Sequence, residues 1–462
     1  MKRIRIRYLI ILDFLVYCAA VLGVTEWHRP DLLADGRASG FLFKFAPLLI
    51  AWLAANYIVG CYEWRKLRTL AEGVRVSLYS LLAQGILGTV YFYLWEPDLG
   101  LRPKTLLAGI IGVSQLLCLA WHRAFYHFAS DRFFFQRIGA VCGPQERSAL
   151  RREAAANPHL VFSVVDAVPG SFDVLVVDPV WLETHWQENA ALLRAALLFG
   201  LPIWPLDEFV EHWFGKILPR HAASPSWIAQ FVLPRVQGAY LKWRRILDLA
   251  VGGFLFAVGA PLMGAVALCL WAADGRPILY SQPRLGRLGR EFRLWKFRTM
   301  RVGADAKGAF TSHDPADSRV TSLGRWLRRL RLDELPQLWN VLRGEMSLIG
   351  PRPEWMQEVE ILERALPSYH LRHLVRPGIT GWAQVCYRAT NNAHESAEKL
   401  LYDLYYLKNV SLSLDISVLL KTSKRIFLDD FSPSFLGAEA PAEVASVDAD
   451  SRQEFGALVG RG

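Results

Sequence analysis

Four apolar runs, at roughly residues 8–25, 41–60, 74–95 and 105–121, constrain this chain more than any other feature. Each is about the length a helix needs to cross a hydrocarbon core of ~30 Å. The competing reading is a buried helical core in a soluble protein, and the flanking charges argue against it. Lys2, Arg3, Arg5 and Arg7 precede the first run, Arg65, Lys66, Arg68 and Arg75 surround the turn after the second, and Arg123, Arg132 and Arg137 follow the fourth. The other two connections carry only Arg29 with Arg37, and Arg102 with Lys104. By the positive-inside rule the N-terminus and everything after the fourth run are cytoplasmic. Lys44 stands near the start of the second run, where its long side chain can snorkel. No small-residue cleavage site follows MKRIRIR and its apolar run, so a retained anchor is expected rather than a signal peptide. A hydrophobic content of 52% with 17 Trp leans the same way, since Trp and Tyr favour the headgroup level. Residues 1–130 are therefore expected to form a four-helix transmembrane domain, an anchor and a surface for homodimer formation. No ionisable residue lies deep in a run in a way that suggests a transport path.

From Arg137 the pattern changes to short strands alternating with helices: RIGAVCG, a helix through Arg151, LVFSVVDAV, FDVLVVD, the helix ALLRAALLFG and LPIWPL. Such alternation predicts a small parallel Rossmann-like α/β domain over residues 136–218. The turn after its first strand, Gly143-Pro144-Gln145, lacks G-x-G-x-x-G, so a structural or regulatory role is expected rather than a dinucleotide site. Residues 219–240, with Pro219, Pro225 and Pro234, read as a linker. The six cysteines show no paired spacing, which supports neither a disulfide framework nor a zinc site.

A fifth apolar run, residues 246–273, is long enough to span, yet both flanks are basic: Lys242, Arg244 and Arg245 before it, Arg276, Arg284, Arg287 and Arg290 after it. The charge rule wants both flanks on the cytoplasmic side. Pro261 sits near the middle, where it removes a backbone donor. A helix broken there can enter one leaflet and return, so a re-entrant hairpin is expected, with Asp248 near its start pairing with an arginine or sitting as a plain interfacial aspartate.

The most informative stretch is RVTSLGRWLRRLRLDELPQLWNVLRGEMSLIGPRPE, from Arg319 to Glu354. It sets adjacent carboxylates, Asp333 and Glu334, among Arg325, Arg328, Arg329, Arg331, Arg343 and Arg352. Pro336 marks a helix start, Leu335, Leu338 and Leu342 form one apolar face, and Gly344 reads as the stop. An acidic pair can simply complement a helix dipole, but two carboxylates in an arginine field make a poor core and a good site for a cation and a phosphate. Pro351 and Pro353 restrict the backbone on both sides of Arg352 and aim its guanidinium fork. A carboxylate can attack phosphorus to give an acyl phosphate, with Mg²⁺ neutralising the anionic oxygens. Upstream, Ile278–Tyr280 and Phe292–Trp295 read as two strands joined by a Gly-rich turn; Lys296 and Arg298 at the end of the second suit either solvated charges or a nucleotide diphosphate. Residues 302–318 read as a polar lid. Ser322 to Arg331 reads as an amphipathic helix, Leu323, Trp326, Leu327 and Leu330 opposing Arg325, Arg328 and Arg329, of the kind that lies in the headgroup plane. His394 to Lys408 reads as a helix whose Tyr402, Tyr405 and Tyr406 suit an interface. Ser413 to Phe427 reads as another amphipathic helix, with Lys421, Lys424 and Arg425 on its polar side. His370 and His373 read as surface histidines, and 432–462 as a disordered tail.

The run LDELPQLWNVLRGEMSLIGPRPE, with WKFRTM before it and RPGITGWAQV and YDLYYLKNVSLSLDI after it, closely resembles the bacterial sugar transferases, the polyprenyl-phosphate hexose-1-phosphate transferases. The resemblance covers about residues 240–430. With the four-run block and the α/β domain it is similar to the large forms that initiate exopolysaccharide or O-antigen synthesis. It implies a membrane protein of α+β class, with a monotopic catalytic domain over 241–431 that carries the re-entrant helix broken at Pro261 and interfacial amphipathic helices. It implies transfer of a hexose 1-phosphate from a UDP-hexose, glucose or galactose, to undecaprenyl phosphate with release of UMP, on the cytoplasmic face of a bacterial inner membrane. Asp333 is then the expected nucleophile, Glu334 helps it hold Mg²⁺, and Lys296, Arg298, Arg328, Arg352 and Arg376 hold phosphates, with Asp415 a further candidate. One departure is Ala260-Pro261, where members often carry Ser-Pro. The net charge of +10 is thus matched to phosphorylated substrates and anionic membrane lipids; nucleic acid is not expected, because the basic residues flank apolar segments instead of forming one soluble patch. Two other classes stand beside this reading. One is a membrane scaffold of a polysaccharide-assembly complex, which has no reason to keep Asp333, Glu334, Lys296 and Arg352. The other is a glycosyltransferase moving sugar without phosphate, which releases UDP.

Overall fold

The structure is a computed structural model that describes residues 2–28, 30, 38–62, 70–99, 103–133, 136–156, 162–168, 170–222, 224–303, 319–366, 368–387 and 393–427. Most of the expected lid and all of the expected tail lie outside these residues.

The first four apolar runs form helices, Lys2–His28, Ala38–Val59, Leu70–Leu99 and Pro103–Phe133. With Ala239–Asp274 they make, among the described residues, five helices long and apolar enough to cross a membrane by length and composition. The four pack through Tyr17, Phe45, Trp52, Phe92 and Ile110, all fully buried, while Leu82, Ile86, Val90 and Leu116 face outward. A polar seam runs inside: the amides of Asn56 and Gln84 donate to Tyr17 Oη at 2.6 and 2.8 Å, and Gln115 Nε2 donates to Ser80 Oγ at 2.9 Å. Asp13 is the acid this bundle buries, accepting from Tyr62 Oη at 2.9 Å and lying 2.9 Å from His122 Nε2. Those partners clasp three helices together, so the group is satisfied where hydrocarbon would otherwise make it costly.

The middle unit is a four-stranded parallel sheet in the order β2-β1-β3-β4, with β1 Gln136–Val141, β2 Phe162–Val165, β3 Val174–Val177 and β4 Ile203–Pro205. All four residues of β3 are buried, as a central strand covered on both faces requires.

The expectation of a linker over 219–240 is corrected. Pro219 and Pro225 open short helices, positions where a missing N–H costs nothing, and Pro234 sits inside the continuous helical run 225–236, just after its π-helical turn Ile228–Val232. Prolines that looked like chain breakers lie in helices. Ala222, Trp227, Val232 and Val236 are buried in one core with Val359, Tyr369, Trp382, Leu404 and Val418. Tyr402, Tyr405 and Tyr406 belong to that same core rather than to an exposed interface, and His373 is likewise buried, only His370 being at the surface.

The fifth apolar run lies in a single 36-residue helix, Ala239–Asp274, that continues through Pro261. The expected break is therefore not an end of the helix: proline deletes one hydrogen bond while those on either side persist. Both halves rest on one body. Before Pro261, Gly252 and Gly253 pass against Val341 and Leu342, and Phe256 lies 6.1 Å from the Trp339 ring. After it, Val266 and Leu270 pack on Phe297 and Leu327. The two ends are tied as well. Arg244 donates to Tyr406 Oη at 2.7 Å and to Ser347 Oγ at 2.5 Å, and Arg298 donates to the carbonyls of Asp274 and Gly275 at 2.6 and 3.1 Å. The outward residues Phe254, Val258, Leu262, Leu268 and Trp271 remain exposed.

The two expected strands pair as an antiparallel ribbon, β5 Leu279–Leu285 and β6 Glu291–Phe297, and β7 Ser347–Ile349 pairs in parallel with β8 Gly378–Thr380. The amphipathic segment after the lid forms a helix over Ser322–Arg329, capped by Thr321 Oγ1 accepting from Gly324 N at 3.0 Å. Its apolar residues split: Leu323 and Leu327 turn inward onto the long helix, and Trp326 and Leu330 stay exposed.

Candidate active site

Arg331 adopts a left-handed backbone (φ 56°), unusual for a side chain of its size, and the chain then makes a single 3₁₀ turn over Leu332–Glu334. Leu332 and Leu335 pack into the cluster of Val266, Leu270 and Phe297, so Asp333 and Glu334 between them point away from that cluster. Pro336 caps the helix Gln337–Arg343, and Gly344 ends it at φ 83°. Fully buried Asn340 fixes this helix to β6: its amide donates to Arg293 O at 2.7 Å, and its oxygen accepts from Trp295 N at 3.2 Å. Lys296, next on the strand, is thereby set beside the dyad.

Glu334 Oε1 lies 3.2 Å from Arg352 Nη2 and 3.5 Å from Lys296 Nζ. Burial alone would raise its pKa, but Arg352 and Lys296 prevail and hold it down at about 2. Asp333 is shifted the opposite way. Burial and the Glu334 charge raise its carboxyl above the usual aspartate range, and Lys296, Arg328 and Arg331 offset only part of that. One of its oxygens, Oδ1, is buried with no hydrogen-bond partner among the described residues. Lys296 is lowered from the usual lysine value by burial, with Glu334 opposing. Two carboxylates at close quarters are thus pushed apart, one a fixed anion and the other a more basic, unpartnered oxygen. That separation is the signature of groups with different chemical roles.

A divalent cation fits this set. The unpartnered Asp333 oxygen and the Glu334 carboxylate are hard donors, and Mg²⁺ binds through one or two carboxylates completed by phosphate oxygens and water. Among the described residues there is no cluster of three or more His, Cys, Asp or Glu that would make a closed all-protein site.

Of the residues expected at the site, the structure brings together Asp333, Glu334, Lys296 and Arg352. Arg328 stands at its edge, acting on Asp333 by charge and donating through Nε to Thr299 Oγ1 at 2.8 Å. The other three go elsewhere. Arg298 donates through Nη2 to the carbonyls that end the long helix, its Nε and Nη1 being buried with no hydrogen-bond partner among the described residues. Asp415 accepts from Tyr240 Oη at 2.6 Å and Tyr406 Oη at 2.7 Å and lies 3.5 Å from Arg244 Nε, a buried junction between helices. Arg376 donates through Nε to Gly344 O at 3.0 Å and lines a separate cavity. Arg284 and Glu354 were given no role from sequence, and Arg331 only a place in the arginine field: Arg331 acts on both carboxylates by charge, and buried Arg284 acts by charge on Lys296 and Glu354 and donates to Pro353 O at 3.4 Å. The signal for Arg284 was an arginine inside a strand, flanked by Pro283 and Leu285, a setting in which a charge needs a partner.

The model of the family described as bacterial sugar transferase matches residues 239–429. Among curated proteins, the UDP-N-acetylgalactosamine-undecaprenyl-phosphate N-acetylgalactosaminephosphotransferase of Aeromonas hydrophila is 38% identical over 255 residues, covering 55% of this chain and 59% of that protein. The UDP-glucose:undecaprenyl-phosphate glucose-1-phosphate transferase of Caulobacter vibrioides is 37% identical over 43% of this chain and 74% of its own length. The protein of the same description from Escherichia coli strain K12 is 36% identical over 40% of each chain. The match thus spans less than two thirds of the Aeromonas and Escherichia relatives.

Proposed function

This chain belongs to the bacterial sugar transferase family, and on that premise we propose that it transfers a hexose 1-phosphate from a UDP-hexose to undecaprenyl phosphate. The observation that carries the proposal is the Asp333 oxygen, buried, unpartnered and raised in pKa beside a Glu334 that Arg352 and Lys296 keep ionised.

In the first displacement the Asp333 carboxylate attacks the phosphorus attached to the sugar. A P–O bond forms to Asp333, the bond to the bridging oxygen breaks, and UMP departs with that oxygen and the electron pair. In the second, a phosphate oxygen of the lipid attacks the same phosphorus and frees Asp333, leaving a diphosphate-linked sugar. Arg352 and Lys296 balance the charge of the phosphoryl oxygens and orient Glu334. Asp333 and Glu334 would hold Mg²⁺, which when bound would supply further neutralisation of those oxygens.

Placement at a cytoplasmic membrane face belongs to the same proposal, and the long helix supports it. A straight 36-residue helix is ~54 Å long, yet residues before and after Pro261 contact one catalytic body and both ends are tied to it. A crossing would pull those two ends to opposite faces. A helix that enters and returns, or lies shallow, keeps them together with its apolar side in lipid. The relatives are named for both glucose and N-acetylgalactosamine, so the hexose is left to the experiment.

The test is to incubate purified chain with UDP-hexoses and Mg²⁺, first without and then with undecaprenyl phosphate. A stoichiometric burst of UMP without lipid, turnover with lipid, and loss of both in Asp333→Asn is the expected result. Release of UDP would assign the chain to sugar transfer without phosphate, and a wild-type protein inert with every donor would favour a scaffold.

A further inference from the structure

A cavity of about 480 Å³ opens beside the N-terminal end of the long helix, lined by Lys242, Arg244, Arg245, Arg287 and Arg376 with Asp248 as its one acid. The volume is within the range of small-molecule sites. Its charges are unbalanced. Asp248 Oδ1 is engaged by Ser347 Oγ and Leu348 N, both at 3.0 Å, and Arg244 is paired with Asp415. Arg245 spends its two terminal nitrogens on Val341 O and Leu342 O, at 2.7 and 3.0 Å. Arg376 and Arg287 are bonded only through Nε, to Gly344 O at 3.0 Å and Leu374 O at 3.3 Å; among the described residues their terminal nitrogens have no protein acceptor. Burial and then the neighbouring Arg245 and Arg287 lower the Arg376 pKa, and Asp248 offsets only part of that, so the group sits in a net positive field. The Asp333 carboxylate feels Lys296, Arg328 and Arg331 instead, which makes the two basic clusters distinct.

We propose that this cavity binds the phosphate of an anionic bilayer phospholipid, apart from the phosphates handled at Asp333. Two guanidinium forks and the Lys242 amine supply the donors that a phosphate oxygen needs. The lipid source follows from the helix that lines the cavity: on the same turns as its basic residues, Trp243, Ile246 and Leu247 are exposed on a face that does not line it, aromatic and apolar side chains of the kind that sit at headgroup level. A bound headgroup would tether the start of the long helix to the C-terminal end of the helix Gln337–Arg343, because Arg245 and Arg376 hold that end's carbonyls.

The experiment uses the full chain in detergent, and the Asp333→Asn protein in parallel, so that binding is read without turnover. Thermal unfolding and native mass spectrometry are followed with added phosphatidylglycerol, phosphatidylcholine or inorganic phosphate. Phosphatidylglycerol is expected to raise the unfolding temperature and to be retained, phosphatidylcholine to do neither, and both proteins to respond alike. The double variant Lys242→Gln, Arg287→Gln, at two exposed positions, is expected to fold normally and to bind phosphatidylglycerol roughly thirtyfold more weakly, the size expected for two lost surface charges. Equal effects of the two lipids, or an unchanged response in the double variant, would overturn the proposal. So would a full shift with inorganic phosphate, or displacement of phosphatidylglycerol by stoichiometric undecaprenyl phosphate, which would give the cavity to a free anion or to the acceptor.

Discussion

Arg352 donates to Glu334 across 3.2 Å, and that contact makes Glu334 the more acidic of two adjacent carboxylates. Glu334 receives the guanidinium and the Lys296 amine on one oxygen, while Asp333 keeps a buried oxygen with no hydrogen-bond partner among the described residues. Holding one carboxylate with cations leaves its neighbour to be raised by burial and by like charge.

Replacing Arg352 with alanine removes both the fork and the largest influence keeping Glu334 ionised. UMP release is expected to fall on the order of 10²–10³-fold, the usual loss when one preorganised charge donor is deleted from such a site. Arg352→Lys restores charge without the fork and is expected to recover only part of that. Steady-state UMP release for the three proteins checks it.

On the proposed mechanism Asp333 attacks as the carboxylate, and its pKa is raised, so kcat/KM is expected to climb with pH through a region above the ordinary aspartate range. Glu334, held at about 2, stays charged across the whole profile. Lys296 is lowered from the usual lysine value, so its charge disappears earlier than a free lysine's and sets the alkaline fall. Lys296→Arg is expected to move that alkaline limb upward and leave the acidic limb in place. An acidic limb lying at the ordinary aspartate value would contradict the burial argument.

Arg298 bonds to the last carbonyls of the long helix rather than to the dyad. Arg298→Met is therefore expected to cost stability on the order of 1–3 kcal/mol, because those carbonyls and their surroundings lose a charged donor. Its KM for UDP-hexose is expected to stay within about threefold of wild type. Unfolding curves and initial rates on the same preparation separate the two effects.

His373 is 8% exposed, and its pKa is depressed to about 4, chiefly by burial and then by Arg372. The unfolded chain takes up that proton near pH 6.5, the folded chain only near 4, so stability is fully present above 6.5 and is lost as the pH falls towards 4. The loss attributable to this residue is on the order of 3 kcal/mol. Unfolding of wild type and His373→Phe between pH 7 and 4 measures it, and the variant is expected to show a flatter dependence.

Features written in neighbouring residues were legible without coordinates. The apolar runs appear as helices, the alternating pattern after Arg137 as a parallel sheet, and Pro336 and Gly344 as the bounds of a short helix. The dyad and the Pro-flanked Arg352 were readable for the same reason, since their chemistry lies within about twenty residues of chain. The prolines of 219–240 misled because a proline marks a helix start and a chain break with one symbol, and only burial of Trp227 and Val232 distinguishes them.

What no local pattern could assign is where a long charged side chain ends up. Arg298, Arg376 and Asp415 are all candidate site residues in the sequence, yet their partners lie at Asp274, Gly344 and Tyr240. Asp13 reads as a stray acid until His122, more than a hundred residues away, is brought against it. An unpaired buried charge is costly, so tertiary packing chooses each partner from whatever the fold delivers. Residue types and their periodicity declared the elements and the adjacent carboxylates; the closing of the chain on itself decided which cations serve Glu334 and which hold the scaffold.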